Sequence, residues 1–264
     1  MLADLDQRRT APRLLGLEPR PAANSIGLGN LELRVLIPRG ELEAFVERIV
    51  PIRMISRRML RSHTFGYVTA ALPGLEAFLM MERLRQLADE AAARNGFVVI
   101  DAPASGGVLE LLTVSKGVRD LAPSGTLNRL VRGIDEFVRN PQLFGVWLTA
   151  RPERLGVTEA LETLATLRAQ PGVRYFVGIL NGVPDPLLSA ADYTKIARVA
   201  GHQRLALERK ATCEMAAWAR RRFEKAGLEV VQLPMLYTSE FARPQIEILA
   251  GSLDRVATRD IKEE

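Results

Sequence analysis

Cysteine is nearly absent: Cys213 stands alone in 264 residues, which excludes an internal disulfide and any thiolate-cluster metal site. Lysine is scarce too. Lys116, Lys195, Lys210, Lys225 and Lys262 are the full set, and none follows a glycine. The phosphate loop Gly-x-x-x-x-Gly-Lys-Ser/Thr is therefore missing, and with it the N–H cradle and the lysine that hold β- and γ-phosphates. Gly27 and Gly29 do not replace it, because neither their spacing nor a following helix fits. No apolar run reaches about 18 residues, so no transmembrane segment is expected. No charged-then-apolar leader follows Met1, and cytoplasmic residence is the expectation. His202 has no second ligand at metal spacing and reads as a surface residue. Internal repeats and low-complexity linkers are also lacking.

What remains is the composition of an ordinary globular chain. Hydrophobic residues make up 47% and charged residues 25%, which argues against wholesale disorder. The length suffices for one sizeable core or two small ones. The net charge of +5 comes from arginine, spread over many helical stretches with glutamates between. No nucleic-acid partner is expected from that pattern.

The stretch Phe97-Val98-Val99-Ile100-Asp101 reads as a strand buried on both faces that ends in a carboxylate. An Asp at the carboxyl end of a parallel strand points into the crevice where α/β folds bind ligands. Pro103-Ala104-Ser105-Gly106-Gly107 cannot continue the strand, and its glycines allow close backbone approach to a ligand. P-loop ATPases use such a strand-terminal Asp, the Walker B residue, to hold Mg²⁺ directly or through water. The bland alternative is a polar residue where a strand meets water.

Other strands are expected at Met1–Asp6, Leu31–Ile37, Leu143–Ala150, Arg174–Asn181 and Glu229–Leu233. Asp4 and Asp6 are either the carboxylates of a buried strand end or solvated residues of a frayed terminus. From Glu41 to Arg94 the pattern is helical, with Pro51 and Pro73-Gly74 dividing it into about three helices. Its methionines Met54, Met59, Met80 and Met81 read as core more readily than as an adaptable partner surface. The cluster Arg53, Arg57, Arg58, Arg61 and His63 reads as a solvated helix face before an acidic-lipid or partner contact. Leu109–Gly133 reads as helices broken at Pro123-Ser124-Gly125. A further helix should bury Leu161, Leu164, Ala165 and Leu167. Ala191–Ala226 should hold long amphipathic helices with Leu205, Cys213, Ala217 and Phe223 on one side, ended by Gly227. A last helix falls within Pro244–Ala257. Strands alternating with helices give an α/β fold with a mostly parallel sheet. Asn181 before Gly182 is at least a turn former, and its amide offers a donor and an acceptor side by side.

Asp101-Ala-Pro-Ala-Ser-Gly-Gly-Val-Leu-Glu-Leu-Leu112 resembles the switch II signature of the ArsA family of ATPases, with Gly107 where that family usually has His. Gln7–Leu17 resembles its switch I segment, with Asp6 at the water-positioning place and Arg13 where a more distal Asp is usual. Pro73-Gly74-Leu75-Glu76, the segment from Pro152 to Glu162, the Asn181 strand end and Leu233-Pro234 resemble further family segments in the same order. The resemblance extends from Met1 to about Leu249. It implies a P-loop NTPase-like fold of SIMIBI type, a single domain over 1–264 with a helical subdomain at about 41–94, and a first strand and phosphate loop that are missing. It also implies ATP and Mg²⁺ as ligands, with Asp101, Ser105 and Gly106 at switch II. Asp6 would sit near the attacking water, and Asn181 and Pro234 near adenine.

By the same resemblance the chain would work as a homodimer, or as a heterodimer with a paralogue, driving a membrane-protein client or pump subunit. The missing strand would lie beside Phe97–Ile100 and leave that edge open. Three possibilities follow: an anion-transporting ATPase-like protein whose reading frame extends upstream of Met1, a non-hydrolysing binding or regulatory subunit, and a client-binding module. An in-frame Gly-Lys-Thr upstream of Met1 would separate the first two. The lone Cys213 argues against a thiolate site for arsenite, and the family's interfacial Cys-x-x-Cys zinc clamp is absent.

Overall fold

Short apolar runs become strands and helix-periodic stretches become helices, giving an α/β protein whose mostly parallel sheets are flanked by helices. The computed structural model describes residues 1–5, 10–16, 25–37, 40–41, 74–102, 107–114, 125–170, 172–185, 189–196, 198–199, 201 and 203–260. They form two compact units, Met1–Leu143 with Gln170–Gly172, and Phe144–Ala169 with Val173–Glu264. Each unit carries its own sheet.

The first unit has a four-stranded sheet in the order β2-β3-β1-β4. Its strands are β1 (Leu2–Asp4), β2 (Ser25–Leu28), β3 (Leu31–Val35) and β4 (Val99–Asp101). β1 runs parallel to both β3 and β4. β2 was not anticipated; it pairs antiparallel with β3 through a two-residue Gly29-Asn30 connection. Gly29 sits at φ 58°, the positive value that a Gly-x hairpin turn needs. The signal was present in the sequence as alternating residues on either side of Gly-Asn.

Helices α1 (Thr10–Leu14), α2 (Leu75–Ala92) and α3 (Gly125–Arg139) accompany this sheet, and residues 107–114 are also helical. α2 buries Phe78, Leu79, Met80, Met81, Leu84 and Leu87, so Met80 and Met81 are core. Met54, Met59 and the Arg53–His63 cluster lie outside the described residues. α2 starts at Gly74, whose φ of 83° is left-handed. A Cβ there would also lie 2.8 Å from a Val114 methyl, so glycine is needed twice over. Buried Glu82 is satisfied by Arg85, with Nε–Oε2 at 2.9 Å and Nη2–Oε1 at 3.0 Å, and by the Gln86 amide at 2.8 Å.

The expectation that Phe97–Ile100 is buried on both faces is overturned. β4 is the edge of its sheet, Val99 is 51% exposed and Phe97, just before it, is 76% exposed. Among the described residues only β1 pairs with it.

The second unit has a parallel sheet in the order β5-β6-β7, made of β5 (Val146–Ala150), β6 (Phe176–Val183) and β7 (Glu229–Pro234). Helices α4 (Arg154–Arg168), α5 (Ala190–Ile196), α6 (Gln203–Lys225) and α7 (Arg243–Asp260) pack with it. Central β6 buries Val177, Gly178, Ile179 and Leu180 in succession, as a strand covered on both faces should. Its core joins Leu148, Val157, Leu164, Leu180, Ala219 and Phe223. Gly178 is there for space: a Cβ would lie 2.5 Å from the Phe223 ring. Gly227, at φ 72°, follows α6 where the sequence places a stop.

Three details differ from expectation. β5 alternates in burial and its Trp147 is exposed, because only one of its faces is covered. α4 buries Val157, Thr163, Leu164 and Leu167, while Ala165 faces outward. α6 buries Ala206, Ala216, Ala219 and Phe223, with Leu205 and Ala217 exposed. The buried stripe combines three alanines with Phe223 and so is rotated from the one that Leu205 and Ala217 suggest, Phe223 alone being common to both. Among the described residues, no helix is long and apolar enough to cross a membrane.

Candidate functional site

In parallel α/β sheets, ligands bind beyond the carboxyl ends of the strands. In the first unit that end carries two carboxylates. Register pairs Asp4 of β1 with Asp101 of β4, and the backbone continues the tie, Leu5 N donating to the Asp101 carbonyl at 3.2 Å. Asp4 is wholly buried, which overturns its reading as a solvated terminal residue. Asp101 is exposed. Helical residues 107–114 follow, with Leu111 and Val114 buried, in agreement with the expected helix after the strand-terminal Asp. Asp6, Pro103, Ser105 and Gly106 lie outside the described residues.

Mg²⁺ bound to a nucleotide typically takes one or two carboxylates, with phosphate oxygens and water completing its shell. An exposed Asp101 at a strand end fits that role. Among the described residues, no group of three or more His, Cys, Asp or Glu could hold a metal by itself.

The second unit brings two other candidate residues together. Asn181 of β6 is in register with Leu233 of β7, and after a bulge Val183 is in register with Pro234. Met235 N then donates to the Val183 carbonyl at 2.8 Å. Asn181 is exposed and Pro234 half-buried, so an amide and a small apolar ring flank the mouth of the same strand pair. Gly182, at φ 79°, lets the chain turn there without strain. At the end of β5, Arg151 and Glu153 form an ion pair at 3.0 Å.

An arginine that sequence periodicity does not single out completes this end. Arg209 of α6 donates from Nη2 to the Asp185 carbonyl and from Nη1 to the Tyr237 hydroxyl. Its guanidinium thus sits at the hydroxyl edge of the Tyr237 ring, 5.5 Å from the centroid. Burial works against its charge, but the phenols of Tyr193 and Tyr237 outweigh that and hold the guanidinium above its ordinary value. Its Nε and the Tyr193 hydroxyl are both buried without a hydrogen bond of full geometry, although Tyr193 is among the groups that stabilise the guanidinium. Nothing in a helix full of i,i+4 arginine–glutamate pairs, such as Arg204–Glu208 and Arg220–Glu224, marks this arginine as different. The distinction lies in which loops reach it.

No family model matches the chain. It is similar, at 22% identity over 176 residues, to ATPase BagA of Mycobacterium tuberculosis (strain ATCC 25618 / H37Rv), a match covering 63% of this chain and 52% of that protein. Mb3704 of Mycobacterium bovis and MT3781 of M. tuberculosis (strain CDC 1551), whose ATPase designations are provisional, match at the same identity and coverage. The chain spans about half the length of these curated relatives.

Proposed function

We propose that this chain is an ArsA-type nucleotide-binding protein, in which the carboxyl end of β6 and β7 reads adenine and Asp101 holds Mg²⁺. The reading is carried by the convergence of Asn181 and Pro234 on neighbouring strand ends. A carboxamide can donate to and accept from the adenine edge at once. Similarity to proteins named ATPases supports it. Asp6 is assigned to the attacking water. The protein would act as a nucleotide-controlled dimer that drives a membrane-linked client or pump subunit.

A second reading is favoured by one observation: none of the five lysines follows a glycine. Nothing in these residues would cradle the β- and γ-phosphates, so the chain would bind nucleotide without turning it over, as the regulatory partner of an intact paralogue. Both readings share the adenine site, and titration calorimetry with ATP and GTP tests it. The chain should prefer ATP, and Asn181→Ala should erase that preference. Equal loss of ATP and GTP affinity would assign Asn181 a folding role and remove the adenine site.

A further inference from the structure

We infer that Tyr237 is the stacking surface for the purine base and that Arg209 is the positioning residue that holds it, an inference resting on the adenine reading above. Asn181 can read a base edge, but one amide supplies direction rather than affinity. A base also needs a plane to lie on. Aromatic side chains provide it, and stacking tolerates any base because each has a π-face.

Tyr237 has the attributes of such a plane. It lies just beyond β7, two residues past the last backbone tie between the strand ends, Met235 N to Val183 O. Its side chain is 71% exposed, unusual for an aromatic ring that is also anchored. The anchor is Arg209, which bonds the hydroxyl and sits at that edge of the ring, 5.5 Å from its centroid, leaving the ring faces open. The same guanidinium bonds the Asp185 carbonyl, in the segment that follows Asn181 and Pro184. One arginine thus ties the segment after β6 to the segment after β7 and orients an exposed ring between α6 and the strand ends.

Two features distinguish this from surface decoration. Arginine is suited to the task because its planar fork can bond two acceptors in fixed directions. The ring also sits at the carboxyl end of a parallel sheet, where ligands bind.

Adenosine is the probe, because stacking does not depend on phosphates. Its affinity for the full chain is measured by titration, and the NMR shifts of its H2 and H8 protons report the ring current of a stacked aromatic. Tyr237→Ala should weaken adenosine roughly tenfold or more, the range expected from base–aromatic stacking, and should abolish the upfield shift. Tyr237→Phe should keep an upfield shift, since the ring survives, but should weaken adenosine about as much as Arg209→Ala does, since the anchoring hydroxyl is lost. Arg209→Ala should reduce both affinity and shift while adenosine still binds, and Arg209→Lys should not restore them. Melting temperature is followed for each variant, and Tyr237→Phe separates a folding defect from a lost ring. Adenosine binding unchanged in Tyr237→Ala, with Asn181→Ala still weakening it, would overturn the inference and leave the adenine reading standing. No adenosine binding by the unsubstituted chain would overturn the adenine reading, and this inference with it.

Discussion

Phe97–Ile100 and Val177–Leu180 are both short, apolar and headed for a polar residue at their carboxyl ends, yet they occupy opposite positions. The second is central in its sheet, with strands on both sides and a helix ring pressed against its glycine. The first is an edge, with Val99 half open to water. A run of apolar side chains states what a strand can tolerate. Its neighbours decide whether that tolerance is used. The two sheets therefore differ in what they ask of their residues: the second demands shape complementarity, and the first leaves apolar surface without a described partner.

The largest expected effect concerns chemistry rather than stability. Residues 1–264 should hydrolyse ATP at background rate, because losing charge stabilisation of the transferring phosphate costs several orders of magnitude. Mg²⁺-dependent turnover that disappears in Asp101→Asn would break this expectation. The next effect is on the central strand. Phe223→Ala should destabilise the second unit by about 3–5 kcal/mol, the usual cost of removing a buried aromatic ring. Gly178→Ala should cost about 1–3 kcal/mol through overpacking against that ring. Denaturant unfolding followed by Trp147 and Trp218 fluorescence measures both. If Gly178→Ala were neutral, Phe223 would not be pressed against β6.

A smaller effect depends on pH. Burial raises the Glu41 carboxyl above 4.5, and Arg83 opposes the shift only in part. The folded state then holds this proton more tightly than the unfolded state does. Its contribution to stability is fully present below about pH 4.5 and is lost as pH rises through the folded value. Glu41→Gln should therefore be more stable than the unsubstituted chain at pH 7 and indistinguishable from it at pH 4, as thermal melts at the two values would show. The smallest effect belongs to the open edge. Val99→Lys should change unfolding free energy by no more than about 0.5 kcal/mol and reduce self-association on size-exclusion chromatography with light scattering, since edge lysines block strand pairing. A cost above 2 kcal/mol would mean that β4 is covered.

Much of the architecture was readable in advance because it rests on local signals. Gly227 as a helix stop, the strand β6, and the helix after Asp101 follow from glycine and hydrophobic periodicity alone. Asn181 and Pro234 were linked in advance only by the family resemblance, and no local pattern in the sequence says that their strands are neighbours. What sequence could not show depends on tertiary choice. Nothing in Leu2-Ala3-Asp4 says that Asp4 is wholly buried. The inward stripe of α6 differs from the expected one because Ala206, Ala216 and Ala219 offer little hydrophobicity to mark a face, while Phe223 belongs to both. Arg209 and Tyr237 lie 28 residues apart, with no local pattern linking them.

Arg168 gives the second unit another property. It ends α4, lies over the Phe176 ring at the start of β6, and donates to the Ala226 carbonyl just past α6 at 2.6 Å. Arg209, near the other end of that helix, fastens it to Asp185 and Tyr237. A helix fastened at both extremities cannot slide along the sheet by a turn of about 5.4 Å without releasing both arginines together. Motion that reaches the loops after β6 and β7 must therefore bend those loops or carry α6 bodily with the sheet. Hydrogen exchange should find the amides of α6 opening as one block rather than fraying inward from its ends.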